Sequence, residues 1–165
     1  MNLLTDDPAI ADRVVDAFIA RLEERMQGSS YYFDMRGRIF DIFRPPADIP
    51  LPSISVTVLP EETIARHSRG DEGGKYMRLP LLMEFRDAWT EGLAEQSERV
   101  LKARRARAEM KRAAVGGIWI NPPGLQVYYT IASSSYLVGG ADDQITAEVL
   151  VHAEYDESEV DPFEQ

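Results

Sequence analysis

The sequence contains no cysteine. Disulfide bonds, thiolate zinc sites and cysteine nucleophiles are therefore excluded, and the composition fits a chain kept in a reducing compartment. Long apolar runs are also absent, since no stretch approaches the roughly 20 residues that a transmembrane helix needs. Residues 1–7 contain early acids and no apolar signal-peptide core. These absences predict a soluble protein that is neither exported nor held in a membrane.

Basic charge is scarce relative to acidic charge. The chain has 18 Lys and Arg against 28 Asp and Glu, a net charge of −10, which argues against free nucleic acid as its partner. With 165 residues, of which 44% are hydrophobic, the chain can bury a core of its own. We therefore expect one folded domain, residues 1–155, followed by an acidic C-terminal tail, residues 156–165, that is unstructured in the free protein.

The first clear pattern is helical. Apolar residues recur every four positions from Ile10 to Leu22, and Asp7 and Pro8 before them are typical of a helix start. Gly28 is a natural stop. The pattern predicts an amphipathic helix over residues 8–27.

The next part of the chain reads as β structure with one long loop. Residues 30–44 are rich in aromatic and β-branched types and predict a strand or short hairpin, and residues 53–59 alternate as a half-buried strand does. Residues 61–75 are polar and glycine-rich, which predicts a mobile loop. Alternation resumes over residues 77–85, where Pro80 predicts an edge position or a bulge.

A second helix and a final β region follow. Residues 89–114 have helical periodicity and are rich in Ala, Glu, Lys and Arg. Residues 125–131 and 145–155 alternate as strands. The order helix, strands, helix, strands predicts an α+β fold, a mainly antiparallel sheet with two long helices packed on one face.

Three candidate chemical sites have simpler explanations. The segment from Gly70 to Lys75 is one residue short of a phosphate-binding loop and has Tyr76 where the hydroxyl residue belongs, so an exposed loop is favoured. His152 shares a strand face with Glu148 and Glu154, a possible metal site, but a polar sheet face fits better. The serines at 133–135 lack a nucleophile elbow. We expect no enzyme activity, metal or cofactor.

Charge is segregated along the chain. Seven basic side chains and one acid, Glu109, fall within residues 99–112, whereas residues 154–165 hold six acids and no base. The two segments could pair across a subunit boundary, or both could be solvated. The basic helix is likewise either a contact surface for an acidic partner or passing DNA, or a solvated face.

The chain resembles tail terminator proteins of long-tailed bacteriophages, the minor tail protein U type, and the related neck and tail-completion proteins. Three regions carry the resemblance: the opening helix from Ile10 to Met26, the strand at 51–58 with Glu61 and Glu62 after it, and the long second helix that leads to a closing strand at 145–155. The resemblance spans most of the chain.

The resemblance implies a homo-oligomeric ring, commonly a hexamer, in the tail or neck of a virion. Such a ring caps the tail tube, stops its polymerisation and joins the tail to the head connector or stopper protein. Genome DNA passes through its lumen without specific binding. The resemblance carries over no catalytic residue. A head-tail stopper, a tail tube protein and a binding module unrelated to phage remain alternatives.

The basic helix supplies the candidate contact residues. A small α+β subunit with an exposed sheet edge and segregated charge is suited to ring contacts. We hypothesise that five of the basic side chains make subunit or partner contacts. They are Arg99, Lys102, Arg104, Arg105 and Arg107.

Overall fold

The computed structural model describes residues 9–69, 72–88, 96–115, 126–138 and 144–158. It contains two helices, α1 (Ile10–Arg25) and α2 (Gln96–Val115). The described strands are β1 (Ile39–Asp41), β2 (Ser53–Val58), β3 (Glu62–Arg69), β4 (Glu72–Ala88), β5 (Val127–Val138) and β6 (Gln144–Ser158). The predicted α+β class and element order are confirmed. Neither helix has the length and apolarity needed to cross a membrane.

Helix α1 packs against the core through the apolar face that the sequence predicts. Ile10, Val14, Phe18 and Leu22 are fully buried, and the Phe18 ring lies 5.2 Å from that of Tyr129 on β5. Each such side chain contributes about 1.5–3 kcal/mol by leaving water. The predicted cap at residues 7 and 8 lies outside the described residues.

The long strand β4 is the centre of the sheet. The strand order is β1-β2-β4-β6-β5, and β3 pairs with the remaining part of β4. All described pairs are antiparallel except β1 with β2. Alternate residues of β4 and β6 form the floor of the core. They are Met77, Leu79, Leu81, Met83 and Phe85 on β4, and Ile145, Ala147, Val149, Val151, Ala153 and Tyr155 on β6.

The predicted place of Pro80 at an edge or bulge is wrong, because β4 has neighbours on both sides. β2 pairs with β4 as far as Leu81, and β3 takes over at Arg78. The N–H of Leu59 donates to the Pro80 carbonyl at 3.0 Å. The N–H that proline lacks therefore falls where β4 changes partner, so little of the hydrogen-bonded ladder is lost.

The predicted mobile loop at 61–75 is also wrong. Most of this segment forms β3 and the first part of β4, which pair from Glu62 with Arg78 to Arg69 with Glu72; residues 70 and 71 lie outside the described part of the chain. Side chains 62–66 of β3 are all exposed, so neither face shows hydrophobic alternation. Backbone hydrogen bonding to β4, not side-chain pattern, holds this strand.

The segment 30–44 contains less β structure than predicted. Only Ile39–Asp41 forms a strand, after a single 3-10 turn at Gly28–Ser30. Gly28 and Gly37 have φ values of 70° and 65°. Such values favour glycine and break the chain into turns around the aromatic residues.

The closing strands are longer than predicted, and their alternation is confirmed. β5 and β6 pair from Val127 with Tyr155 to Val138 with Ile145, with a register shift between Ile131 and Ser133. β6 continues through Ser158, so three residues assigned to the unstructured tail belong to the sheet. Residues 159–165 lie outside the described part of the chain.

Candidate functional site

The basic helix α2 packs on the sheet through small side chains. Its buried residues are Ala103, Ala106, Met110, Ala113 and Ala114. Alanine at four of these positions lets the helix approach the sheet closely. Residues 89–95 of the predicted helix lie outside the described residues. Arg104, Arg105 and Arg112 are exposed on the outer side of the helix.

Three of the predicted contact arginines on α2 lie over tyrosine rings. The guanidinium carbon of Arg105 is 4.3 Å from the ring centroid of Tyr32, and those of Arg104 and Arg107 are 5.6 Å and 5.0 Å from that of Tyr136 on β5. Arg104 Nε also donates to the Tyr136 hydroxyl at 3.0 Å. Ring faces attract cations, but they do not neutralise the charge. No sequence signal pointed to these pairs, because the tyrosines lie on distant segments.

Glu109, one of the two acids of α2, makes its contacts inside the subunit. The two oxygens of Glu109 accept hydrogen bonds from the backbone N–H groups of Tyr32 (2.6 Å) and Phe33 (3.2 Å). Arg112 lies over the Tyr31 ring at 4.2 Å and donates to the Ser30 carbonyl at 2.8 Å. These contacts fix the aromatic turn against the helix and place the Tyr32 ring, 62% exposed, beside Arg105.

The five predicted contact residues fall into three groups. Lys102 forms an ion pair with the buried carboxylate of Asp87 at the end of β4, so its charge is used within the subunit. Arg99 is half-buried near the start of α2. Arg104 and Arg105 are exposed and Arg107 is half-buried, and no ion pair joins these three to a described carboxylate. Their contact role stays a prediction.

The acidic end of β6 is paired with its own subunit. Glu154 accepts from Arg78 at 2.8 Å, Glu157 pairs with Lys75 at 3.0 Å, and Asp156 accepts from His67 at 2.5 Å. The three partners, Arg78, Lys75 and His67, lie on β3 and β4. Three of the six acids of residues 154–165 therefore pair with side chains on other strands of the same sheet. The other three acids are Glu159, Asp161 and Glu164.

The described residues of the three candidate chemical sites lie on strands β4, β5 and β6. Lys75, the last residue of the supposed phosphate loop, lies on β4 and pairs with Glu157. Glu154, from the supposed metal group, binds Arg78, and His152 lies opposite Pro80 and Thr130. Within the described ranges no three His, Asp or Glu side chains are placed to hold a metal ion. Ser135 lies on β5, where its hydroxyl donates to Glu148 at 3.4 Å.

Two edges of the sheet have no further strand partner among the described residues. At one side, β5 pairs only with β6 among the described strands; its 12 residues include no charge and no proline. Tyr128 and Leu137 on it are 70% and 64% exposed. At the other side lie β1 and β3. Natural proteins usually protect edges with charge, proline or covering segments, so an uncharged edge of this length is suited to pairing.

Burial raises the pKa of two tyrosine hydroxyls at the ends of the core. The pKa of Tyr155 is raised by burial and by its hydrogen bond to Glu61, whose carboxylate accepts from the hydroxyl at 2.7 Å. The pKa of Tyr129 is raised by burial. Both groups are held in the neutral form, and the Tyr155 bond fastens β6 to the turn before β3.

No protein-family model matches the chain, and no curated protein matches it. A chain of a solved structure described as "Virion of native gene transfer agent (GTA) particle" is 18% identical, with a TM-score of 0.44, over 90% of this chain and 92% of that chain. Similarity at this level carries no argument about function.

Proposed function

We propose that the protein is a structural subunit of a phage-type virion, a tail terminator whose copies form a ring, by expectation a hexamer. The ring caps the tail tube, stops its polymerisation and joins the tail to the head connector. Genome DNA passes through the lumen without specific binding. The subunit acts through its surfaces and carries out no chemistry.

The observation that carries the proposal is the pair of edges on opposite sides of one sheet, where the described ranges supply no further strand. The long edge of β5 and the edge formed by β1 and β3 are different surfaces, so a contact between them is heterologous. Heterologous contacts form rings when the rotation between neighbours closes. Strand addition at such edges supplies backbone hydrogen bonds without a preformed pocket.

The charge distribution supports the same proposal. Helix α2 carries seven basic and two acidic side chains, a net of +5, which leaves a net of −15 on the rest of the chain. Copies of such a subunit attract one another only in orientations that bring α2 to acidic surface. Segregated charge therefore selects among possible contacts and sets the rate of encounter.

The edge contact is tested by placing lysines on β5. The double variant Thr130→Lys with Ser133→Lys puts two charges on exposed positions of the open edge. We expect native mass spectrometry to show rings for the unmodified protein and monomers for this variant. The matched control, Ala20→Lys with Ser29→Lys, adds the same charge at exposed positions away from the strands and should form rings. Equal assembly of both variants would reject the edge contact.

The position in the particle is tested with growing tail tubes. A terminator added to tube subunits should stop elongation and appear at one end in electron micrographs. A tube protein would instead be incorporated along the length, and a stopper or other neck protein would leave elongation unchanged. A monomer that ignores tubes and connectors alike would indicate a binding module outside the virion.

A further inference from the structure

Three arginines on α2 form a cationic surface, and no ion pair joins them to a carboxylate in the described part of the chain. We define the arginine–tyrosine surface as Arg104, Arg105, Arg107, Tyr32 and Tyr136. Across the described ranges, the contacts of its three guanidinium groups are the tyrosine rings and one tyrosine hydroxyl. This contrasts with Lys102 on the same helix, which is paired with Asp87.

Contact with a ring face leaves guanidinium N–H donors available to bind carboxylates. A guanidinium is planar and carries five N–H donors in its plane. Among the described contacts of these three arginines, one donor is used: Arg104 Nε donates to the Tyr136 hydroxyl. Carboxylates bind such a fork with two parallel hydrogen bonds. Leu101, which is 56% exposed, lies on the same outer side of the helix, one turn before Arg104 and Arg105. The surface therefore combines hydrogen-bond donors for an anion with an apolar contact.

The C-terminal residues 159–165 have the complementary chemistry. This segment has three acids, Glu159, Asp161 and Glu164, with Val160 and Phe163 between them and no basic residue. The preceding acids Asp156 and Glu157 already pair with His67 and Lys75. Binding of Glu159, Asp161 and Glu164 to another cation would therefore break none of the ion pairs described on β6.

The segment cannot reach the Tyr136 part of this surface in its own subunit. Ala147 of β6 lies opposite Tyr136, and β6 runs away from that point for eleven more residues to Ser158. At about 3.3 Å per residue this distance is roughly 36 Å. The seven residues 159–165 span at most about 25 Å when fully extended. Contact with Arg104, Arg107 and Tyr136 therefore requires a second copy.

We propose that the acidic segment 159–165 of one copy binds the arginine–tyrosine surface of a second copy. Carboxylates of the segment pair with these arginines, and its apolar side chains contact the exposed Tyr32 ring and Leu101. This inference rests on the proposed self-assembly in that two copies must meet. It adds a second contact, which we call the tether, between neighbouring copies at a surface separate from their sheet edges.

The binding is measured with a labelled peptide of residues 159–165 and the full-length protein, by fluorescence anisotropy at low salt. We expect saturable binding that weakens as salt is raised. Arg104→Glu with Arg107→Glu should weaken it at least tenfold. The control Arg36→Glu with Arg86→Glu makes the same change of net charge at two other exposed arginines and should leave it within twofold. Equal losses in both variants, or equal binding of a peptide with the acids replaced by amides, would overturn the proposal.

A charge exchange tests the contact in the whole chain. Glu159→Lys, Asp161→Lys and Glu164→Lys together should weaken association of full-length copies in sedimentation experiments, and addition of Arg104→Glu and Arg107→Glu should restore it. Failure of this restoration would argue against the contact. Displacement of the peptide by duplex DNA at equal or lower concentration would assign the surface to nucleic acid instead.

These results are separable from the proposed function. Rings that form and stop tube growth normally although the peptide does not bind would remove the tether and keep the terminator. Peptide binding that depends on Arg104 and Arg107, in a protein that ignores tail tubes, would keep the contact and remove the terminator.

Discussion

The imidazole of His67 on β3 lies across the bare Cα of Gly74 on β4. Their two positions are directly opposite in the register, and His67 Nε2 donates to Asp156 Oδ1 on β6 at 2.5 Å. A side chain thus crosses one strand to bind the next, which is possible because Gly74 has no side chain. A Cβ at Gly74 would lie 2.4 Å from His67 Cε1 and 2.8 Å from Nε2.

Gly74→Ala should therefore break the bond from His67 to Asp156. The ring must move away from the new methyl group, and we expect the free energy of unfolding to fall by about 1 kcal/mol, given the partial exposure of the pair. Urea denaturation measures this change. In the His67→Ala background the same substitution should cost much less. A cost that is undiminished there would mean that Gly74 acts through its backbone instead.

The two buried tyrosines should make the fold sensitive to alkali. The pKa values of Tyr129 and Tyr155 are raised above the ordinary 10.0, so the folded protein holds protons that the unfolded chain releases. Their contribution is fully present below pH 10 and is lost as the pH rises above it, by about 1.4 kcal/mol per pH unit for each group.

The measurement is urea denaturation at pH 8, 10 and 11. Tyr155→Phe loses the hydrogen bond to Glu61 at every pH, but its stability should fall less steeply above pH 10 than that of the unmodified protein. Tyr128→Phe, at a position 70% exposed, is the matched control and should keep the original slope. A slope that Tyr155→Phe leaves unchanged would contradict the assignment.

Lys102 should be needed to hold Asp87 at the end of β4. Lys102→Met leaves a buried carboxylate without its cation, which we expect to cost about 3 kcal/mol. Adding Asp87→Leu removes the unpaired charge and should recover much of that loss. Lys111→Met on the same helix serves as control. Thermal and urea unfolding give the values, and a double variant no more stable than Lys102→Met would refute the pairing.

The contact between α2 and the sheet should tolerate alanine but not larger residues on its inner side. Ala106 is fully buried, so Ala106→Leu should lower the free energy of unfolding by about 1–3 kcal/mol through overpacking. Ala108→Leu adds the same side chain to the exposed side of the helix and should have little effect. If Ala106→Leu proved neutral in urea denaturation, the close helix–sheet contact would be wrong.

The regular elements with one apolar face could be predicted from the sequence. The four-residue spacing of Ile10, Val14, Phe18 and Leu22 indicates α1, and alternation from Ile145 to Tyr155 indicates β6, because burial of one face imposes a period on the chain. The polar strand β3 has no such period, since its side chains 62–66 are all exposed. Its conformation depends on backbone bonds to β4, which leave no mark on side-chain type.

The charge segregation of the chain is likewise a property of the sequence, and it marked α2 as the candidate contact helix. How each charge is used was decided by distant segments coming together. Lys102 meets Asp87, Glu154 meets Arg78, and Arg104 and Arg107 meet Tyr136, 32 and 29 positions further along the chain. No local sequence pattern indicates which of these distant side chains will be in contact.

The sequence by itself determined the α+β class, the two helices, the alternating strands and the uneven charge, because these follow from local periodicity and composition. Only the tertiary structure decided the strand order, the open edges, the central place of Pro80 and the pairing of the acidic strand end with β3 and β4. Those features depend on which strands become neighbours, and neighbours are selected by packing of the whole chain.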